Sequence, residues 1–376
     1  MIIKNGTVFC GDGIFRIMDV ETRNGIITAI DSNINDNSQE MINAENDYIV
    51  PGFVDIHTHG AMGADFCDGT PEAVEIIARY LLSCGITSFL GTTMTLPKEQ
   101  LIDICKTARP IVDAEYTDRA IMRGIHIEGS FISYEKRGAQ NADYIAGPDL
   151  SMLEELIEAG GDTIRLAVIA PEIEGGLEFV EKASRLCTIS IAHSAALYDT
   201  ACKAFSLGAN HVTHLFNGMN AFLQREPAVV GAAFDCDAYV ELISDGVHIH
   251  PSVVRAVFKM FGEDRVCLVS DSMRACGLKD GQYELGGQLV TVKDSTPTLE
   301  DGALAGSVTS LAGCMRKAVD FGIPLPVALK AATLNPAKSV GLDTEIGSLT
   351  LGKRADILIM DRALNLKQVF LNGMRV

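Results

Sequence analysis

Two histidines separated by one residue, His57 and His59, give the first hint of chemistry in this chain. Residues two apart in an extended segment project to the same side, so both imidazoles can reach one cation. Glu128 closes the run Gly124-Ile125-His126-Ile127-Glu128 and offers a hard oxygen donor able to bind or bridge divalent ions. His193 and His214 each end a later apolar run, and neutral imidazole is a good ligand for zinc or iron. Asp271 ends Val266–Asp271, where a carboxylate can touch a cation and also take a proton from water. Taken singly, each has an ordinary explanation: capping histidines, an ion-paired glutamate, an aspartate at a helix N-terminus. His126 shares parity with Glu128 and is expected one layer deeper, as support for the site. His211, of opposite parity to His214, reads as structural.

The elements that must position these groups form a recurring pattern of an apolar, β-branched run followed by helix-patterned sequence. Eight such runs occur: Val54–His57, Ile86–Thr92, Arg123–Glu128, Arg165–Ala170, Thr188–His193, Val212–His214, Tyr239–Asp245 and Val266–Asp271. Eight parallel strands alternating with helices make a (β/α)8 barrel, whose active sites lie at the C-terminal ends of the strands. The candidate ligands end strands 1, 3, 5, 6 and 8. Segment Ile2–Val50 carries the turn pairs Asn5-Gly6, Asp12-Gly13 and Asn24-Gly25 between short apolar runs, the pattern of small antiparallel strands. The chain end repeats this style through Ala355–Met360 and Asn372-Gly373. The expected organisation is therefore an α/β protein: residues 1–52 and 343–376 form one small β-sandwich domain, and residues 53–342 the barrel. Asp280–Thr298, rich in glycine and alternating apolar residues, reads as a hairpin inserted after strand 8, with helices resuming near Ser310.

Composition narrows the classes of function. With 376 residues, 47% of them hydrophobic, the chain can bury a large core. A formal net charge of -18 argues against nucleic acid or an anionic membrane as partner. The ten cysteines are widely spaced without a CxxC pair and are expected to be reduced. The N-terminus has neither a signal-peptide core nor a spanning apolar run, so a cytoplasmic enzyme is expected.

The order HxH, Glu, His, His, Asp resembles the amidohydrolase superfamily, and within it the N-acetylglucosamine-6-phosphate deacetylases. The resemblance is carried by Pro51–Gly60, His126–Gly138, Ala192-His193-Ser194, Thr213–Met219, Arg225-Glu226-Pro227, Ser244–His248, Asp271–Gly277, Leu304–Ser307 and Gly352–Asp361, nearly the whole chain. It implies that Glu128, His193 and His214 hold one divalent metal, while His57, His59 and Asp271 complete a second position shared through Glu128. One or two ions per subunit, zinc or ferrous iron, are therefore expected, with Asp271 as the catalytic base. It further implies a sugar phosphate substrate contacted by Ala139, Gln140, Asn217, Gly218, Arg225, His248, Leu304, Ala305 and Gly306. Arg225 would reach the phosphate of a neighbouring subunit's substrate, making the protein a homodimer.

Two positions depart from the family pattern: Ser130 stands where proline often follows Glu-Gly, and Gln140 where a histidine can contact the sugar. Gln140 donates and accepts hydrogen bonds but carries no charge, which leaves an amino sugar phosphate of the galactose series open. A cyclic-amide hydrolase would also use HxH and the strand-8 aspartate. Such relatives commonly bridge their metals with a modified lysine on strand 4, and Arg165–Ala170 contains none. A barrel kept only as a binding scaffold would be expected to have lost ligands or Asp271, and all are present.

Overall fold

In the computed structural model, which describes residues 1–36 and 39–376, the eight expected runs form a parallel sheet whose strands neighbour one another in chain order. They are β1 (Phe53–Thr58), β2 (Ile86–Thr92), β3 (Ile121–Ile127), β4 (Ile164–Ile169), β5 (Thr188–Ile191), β6 (His211–Val212), β7 (Tyr239–Leu242) and β8 (Val266–Leu268). The sheet closes at its C-terminal rim. There Asp271 N–H donates to the His57 carbonyl (2.9 Å) and His59 N–H to the Ser272 carbonyl (2.8 Å). Every residue of β2 and β3 is buried, as expected for strands covered on both faces.

A helix follows each strand: α1 (Pro71–Ser83), α2 (Lys98–Ala108), α3 (Leu150–Gly160), α4 (Gly176–Ala183), α5 (Tyr198–Ser206), α6 (Ala228–Asp235), α7 (Pro251–Arg265) and α8 (Leu311–Asp320). Their starts are written locally. Thr70 caps α1 by accepting from Ala73 N–H, with Pro71 at the first helical position, and Ser310 caps α8 in the same way through Gly313 N–H. The apolar stripe of α1, Val74, Ile77, Ala78, Leu81 and Leu82, is buried at helical spacing against the barrel.

The two ends of the chain share one eight-stranded sheet, in which Ile357–Met360 pairs antiparallel with Tyr48–Pro51, immediately before β1. The sheet curls over its own core of Ile3, Val20, Ile27, Ile49, Ile357 and Phe370. Asn24-Gly25 and Asn372-Gly373 are two-residue turns with positive φ throughout. Asn5-Gly6 corrects its sequence reading as a turn: it is an irregularity inside the strand Ile2–Phe9. Asn5 takes a φ of 61° while its N–H donates to Asp19. A side chain at Gly6 would collide with Ile49, so glycine is there for close packing. The insert after β8 has three strands, Gly281–Leu285, Gln288–Lys293 and Thr296–Thr298, one more than a hairpin. No helix among the described residues is long and apolar enough to cross a membrane.

Candidate active site

The strands end sooner than the apolar runs suggest, and the reactive groups sit just beyond them. His193, His214 and Asp271 follow β5, β6 and β8 with φ of 43°, 33° and 48°. In this left-handed conformation the chain leaves the ladder and turns side chains over the barrel mouth. The arrangement is strained for residues with a Cβ and is held by its surroundings. Asn217 and Gly218, in the loop after β6, press against the His193–His214 pair. Any Cβ on Gly218 (φ 61°) would lie 2.9 Å from His193 Nδ1.

Four imidazoles and two carboxylates converge there, all buried. Glu128 uses its oxygens separately. Oε1 lies 3.1 Å from His193 Nε2 and 3.0 Å from His214 Nε2. Oε2 lies 3.1 Å from His59 Nε2 and 3.5 Å from His57 Nε2. Asp271 Oδ1 stands on the second side, 3.3 Å from His59 Nε2 and 3.6 Å from His57 Nε2.

The outer nitrogens decide what the inner ones can do. His193 Nδ1 donates to the Lys136 carbonyl, His214 Nδ1 to that of Asn217, and His59 Nδ1 to that of Thr92. His57 Nδ1 lies 2.7 Å from Glu241 Oε2. A neutral ring that donates at Nδ1 has only a lone pair at Nε2. Yet Nε2 atoms face one another at 3.3 Å (His57, His59) and 3.1 Å (His193, His214). Lone pairs opposed to each other and to carboxylates need positive charge between them. Ligands ~2.0–2.1 Å from a tetrahedral ion stand roughly 3.3 Å apart. The observed separations of 3.0 to 3.6 Å are of that size, so the donor set fits a divalent cation on each side of Glu128.

Electrostatics point the same way. Burial alone would lower the pKa of His59, but Asp271 and Glu128 raise it to about 9. Burial would raise that of Asp271, but His57 and His59 hold it down at about 2. Absent a metal, the two carboxylates thus favour a proton on His59 in its place. His126, below the cage, packs edge-on to His57 with ring centroids 4.7 Å apart, and burial drives its pKa to about 3. His211, bonded to Ser190, is likewise lowered to about 4 by burial. Burial thus disfavours the charged form of both rings.

The cage forms the floor of a cavity of about 350 Å³. Of the residues expected to touch substrate, Ala139, Gln140, Asn217, Gly218, His248, Leu304 and Gly306 line it. Ala305 is fully buried and does not. Arg225 is exposed in the loop between β6 and α6 and lies outside this lining. Gln140 accepts from Thr95 N–H (2.7 Å), and His248 Nδ1 is held 2.8 Å from Asp245. Met94, Phe216, Leu285 and Ala303 also line the cavity and were not singled out from sequence. Leu285 comes from the insert, whose Gln288 side chain donates to the Ala139 carbonyl. Glu241 was missed as well. A lone carboxylate in the otherwise apolar β7 was the available signal.

A closed barrel with a two-sided cage of imidazole and carboxylate at its mouth defines a metal-dependent hydrolase. Comparison with known proteins makes this specific. The amidohydrolase family matches residues 48–376. The chain is 35% identical to the N-acetylglucosamine-6-phosphate deacetylase of Lysinibacillus sphaericus, covering 99% of this chain and 97% of that one. It is 31% identical to the N-acetylgalactosamine-6-phosphate deacetylase of Escherichia coli O157:H7, covering 86% of each. Among solved structures, a mutant N-acetyl-D-glucosamine-6-phosphate deacetylase from Mycobacterium smegmatis, in complex with N-acetyl-D-glucosamine-6-phosphate, superposes with a TM-score of 0.93. That match has 28% identity and covers 100% of this chain and 98% of that one. The chain belongs to the amidohydrolase family and, within it, to the N-acetylglucosamine-6-phosphate deacetylases.

Proposed function

We propose that this protein hydrolyses the acetamide of N-acetylglucosamine 6-phosphate, releasing glucosamine 6-phosphate and acetate. The observation that carries this reading is the divided carboxylate of Glu128, one oxygen to each histidine pair, beneath a cavity in a chain similar throughout to such deacetylases. Glu128, His193 and His214 hold one position; His57, His59 and Asp271 share Glu128 to hold the other. The mixed nitrogen and oxygen donors suit zinc or ferrous iron. A divalent ion bound there lowers the pKa of water and polarises the amide carbonyl.

The chain's own groups do the rest. Asp271 takes the proton of the attacking water and returns it to the departing amine. His248, its Nδ1 held by Asp245, leaves Nε2 for the substrate. Gln140 has its carbonyl oxygen occupied by Thr95, so its two N–H donors remain for the sugar. The phosphate is met by the Asn217-Gly218 backbone, His248 and Arg225 of a second subunit. In support of that homodimer, Arg225 follows Phe222 and Leu223, large apolar side chains that are 47% and 54% exposed. A cytoplasmic location suits ten unpaired cysteines.

The test is amine release from N-acetylglucosamine 6-phosphate, N-acetylglucosamine and N-acetylgalactosamine 6-phosphate, with metal-loaded and chelated protein. Metal-dependent turnover of the first alone is expected. Turnover of the galactose compound instead keeps the chemistry and moves the substrate. Silence on all three overturns the reading.

A further inference from the structure

Strand β7 gives the cage no ligand, yet it carries a carboxylate, Glu241, that is completely buried. A charge so placed is costly unless it is paired. Its Oε2 accepts from His57 Nδ1 at 2.7 Å and from the backbone N–H of His214 at 3.1 Å. Its other oxygen has no partner among the described residues.

The four imidazoles are thus not equivalent. His59, His193 and His214 pass their outer protons to neutral backbone carbonyls, and His57 alone passes its proton to a carboxylate. A carboxylate behind an imidazole fixes the tautomer and ring orientation and makes the inner nitrogen a stronger donor to a cation. His126 packs edge-on to His57, donates its own Nδ1 proton to the Ile56 carbonyl, and has no partner at Nε2 among the described residues. Although His126 also lies close to Glu241, His57 is the imidazole that Glu241 holds by a hydrogen bond.

We propose that Glu241 is a positioning residue that sets the affinity of the second metal position, the one served by His57 and His59, and so makes this chain a two-ion protein. The inference rests on the two-position reading of the cage. The position held by Glu128, His193 and His214 does not depend on the Glu241 charge, because Glu241 reaches it only through a backbone N–H that a neutral amide oxygen also satisfies.

The experiment is metal content per subunit, measured by elemental analysis across a graded chelator series, for the parent and for Glu241→Gln. The substitution keeps the shape and one acceptor oxygen while removing the charge. The parent is expected to hold two ions of different affinity. In E241Q the weaker is expected to bind roughly 10–100-fold less tightly, with the tighter unchanged. Two ions at parental affinity in E241Q overturn the inference and leave the two-position reading standing. Equal loss of both ions also overturns it, since that is the signature of a merely structural residue. A parent that binds a single ion overturns the two-position reading and the inference together. As a second measurement, E241Q is added to His57→Asn. With no imidazole for the charge to act on, no further change in the remaining ion is expected, and a further loss overturns the assignment.

Discussion

At the scale of single residues, the cage makes claims that substitutions can check. Asp271→Asn keeps the side-chain shape and leaves Glu128, His193 and His214 intact. It is expected to retain metal while turnover falls by roughly a hundred- to ten-thousandfold, and near-parental kcat would remove Asp271 from proton transfer. Gly218→Ala places a methyl group against His193 Nδ1 and the Lys136 carbonyl. The ring must swing from its hydrogen bond, and metal affinity measured against a chelator is expected to drop roughly 10–100-fold. The charges of the cage also fix a pH response for the chelated protein. His59 is raised from 6.5 to about 9, so its stabilising contribution is full below 6.5 and lost as pH rises to 9. Asp271 is lowered from 3.8 to about 2, so its contribution is full above 3.8 and lost as pH falls to 2. The Tm of chelated protein is therefore expected to fall from pH 6.5 to 9, and metal-loaded protein to resist that decline. A chelated Tm that stays flat across this window contradicts the assignment.

At the scale of elements, the barrel was readable because its strands are apolar runs ending in polar residues, and the period of strand and helix repeats. His57, Glu128, His193, His214 and Asp271 could be placed at strand ends because a polar group closing a buried parallel strand must face the mouth or find a partner. Glu241 was not legible in the same way. It lies mid-strand, and only the fold shows that its neighbour across the interior is His57. Nor does sequence announce that His193, His214 and Asp271 take left-handed backbone, which is imposed by packing from loops distant in the chain. The insert shows the same limit. Its glycines marked the turn, but its third strand and its grip on the Ala139 carbonyl through Gln288 depend on where it docks. Gln288→Ala is expected to raise KM roughly two- to tenfold with kcat little changed, the loss of one hydrogen bond of ~0.5–1.5 kcal/mol. An unchanged KM would show that this contact does not shape the cavity.

At the scale of the whole molecule, the terminal sheet and the barrel share buried packing: Val50, Leu358, Met360, Val369 and Leu371 belong to the same apolar cluster as the barrel and its helices. Leu358 is fully buried, lies in the strand that pairs with Tyr48–Pro51, and packs at the approach to β2. Leu358→Ala is expected to cost about 2–5 kcal/mol in denaturant unfolding, in a single transition that includes the barrel. A separate early transition would mean that the sheet melts on its own. This pairing also orders events in time. Tyr48–Pro51 is made before the barrel, and its partner Ile357–Met360 after it. At ~5–20 residues per second the first strand waits roughly fifteen seconds to a minute for the second. The terminal sheet is therefore closed only after the whole barrel has been made, and its first half must keep an unpaired edge until then.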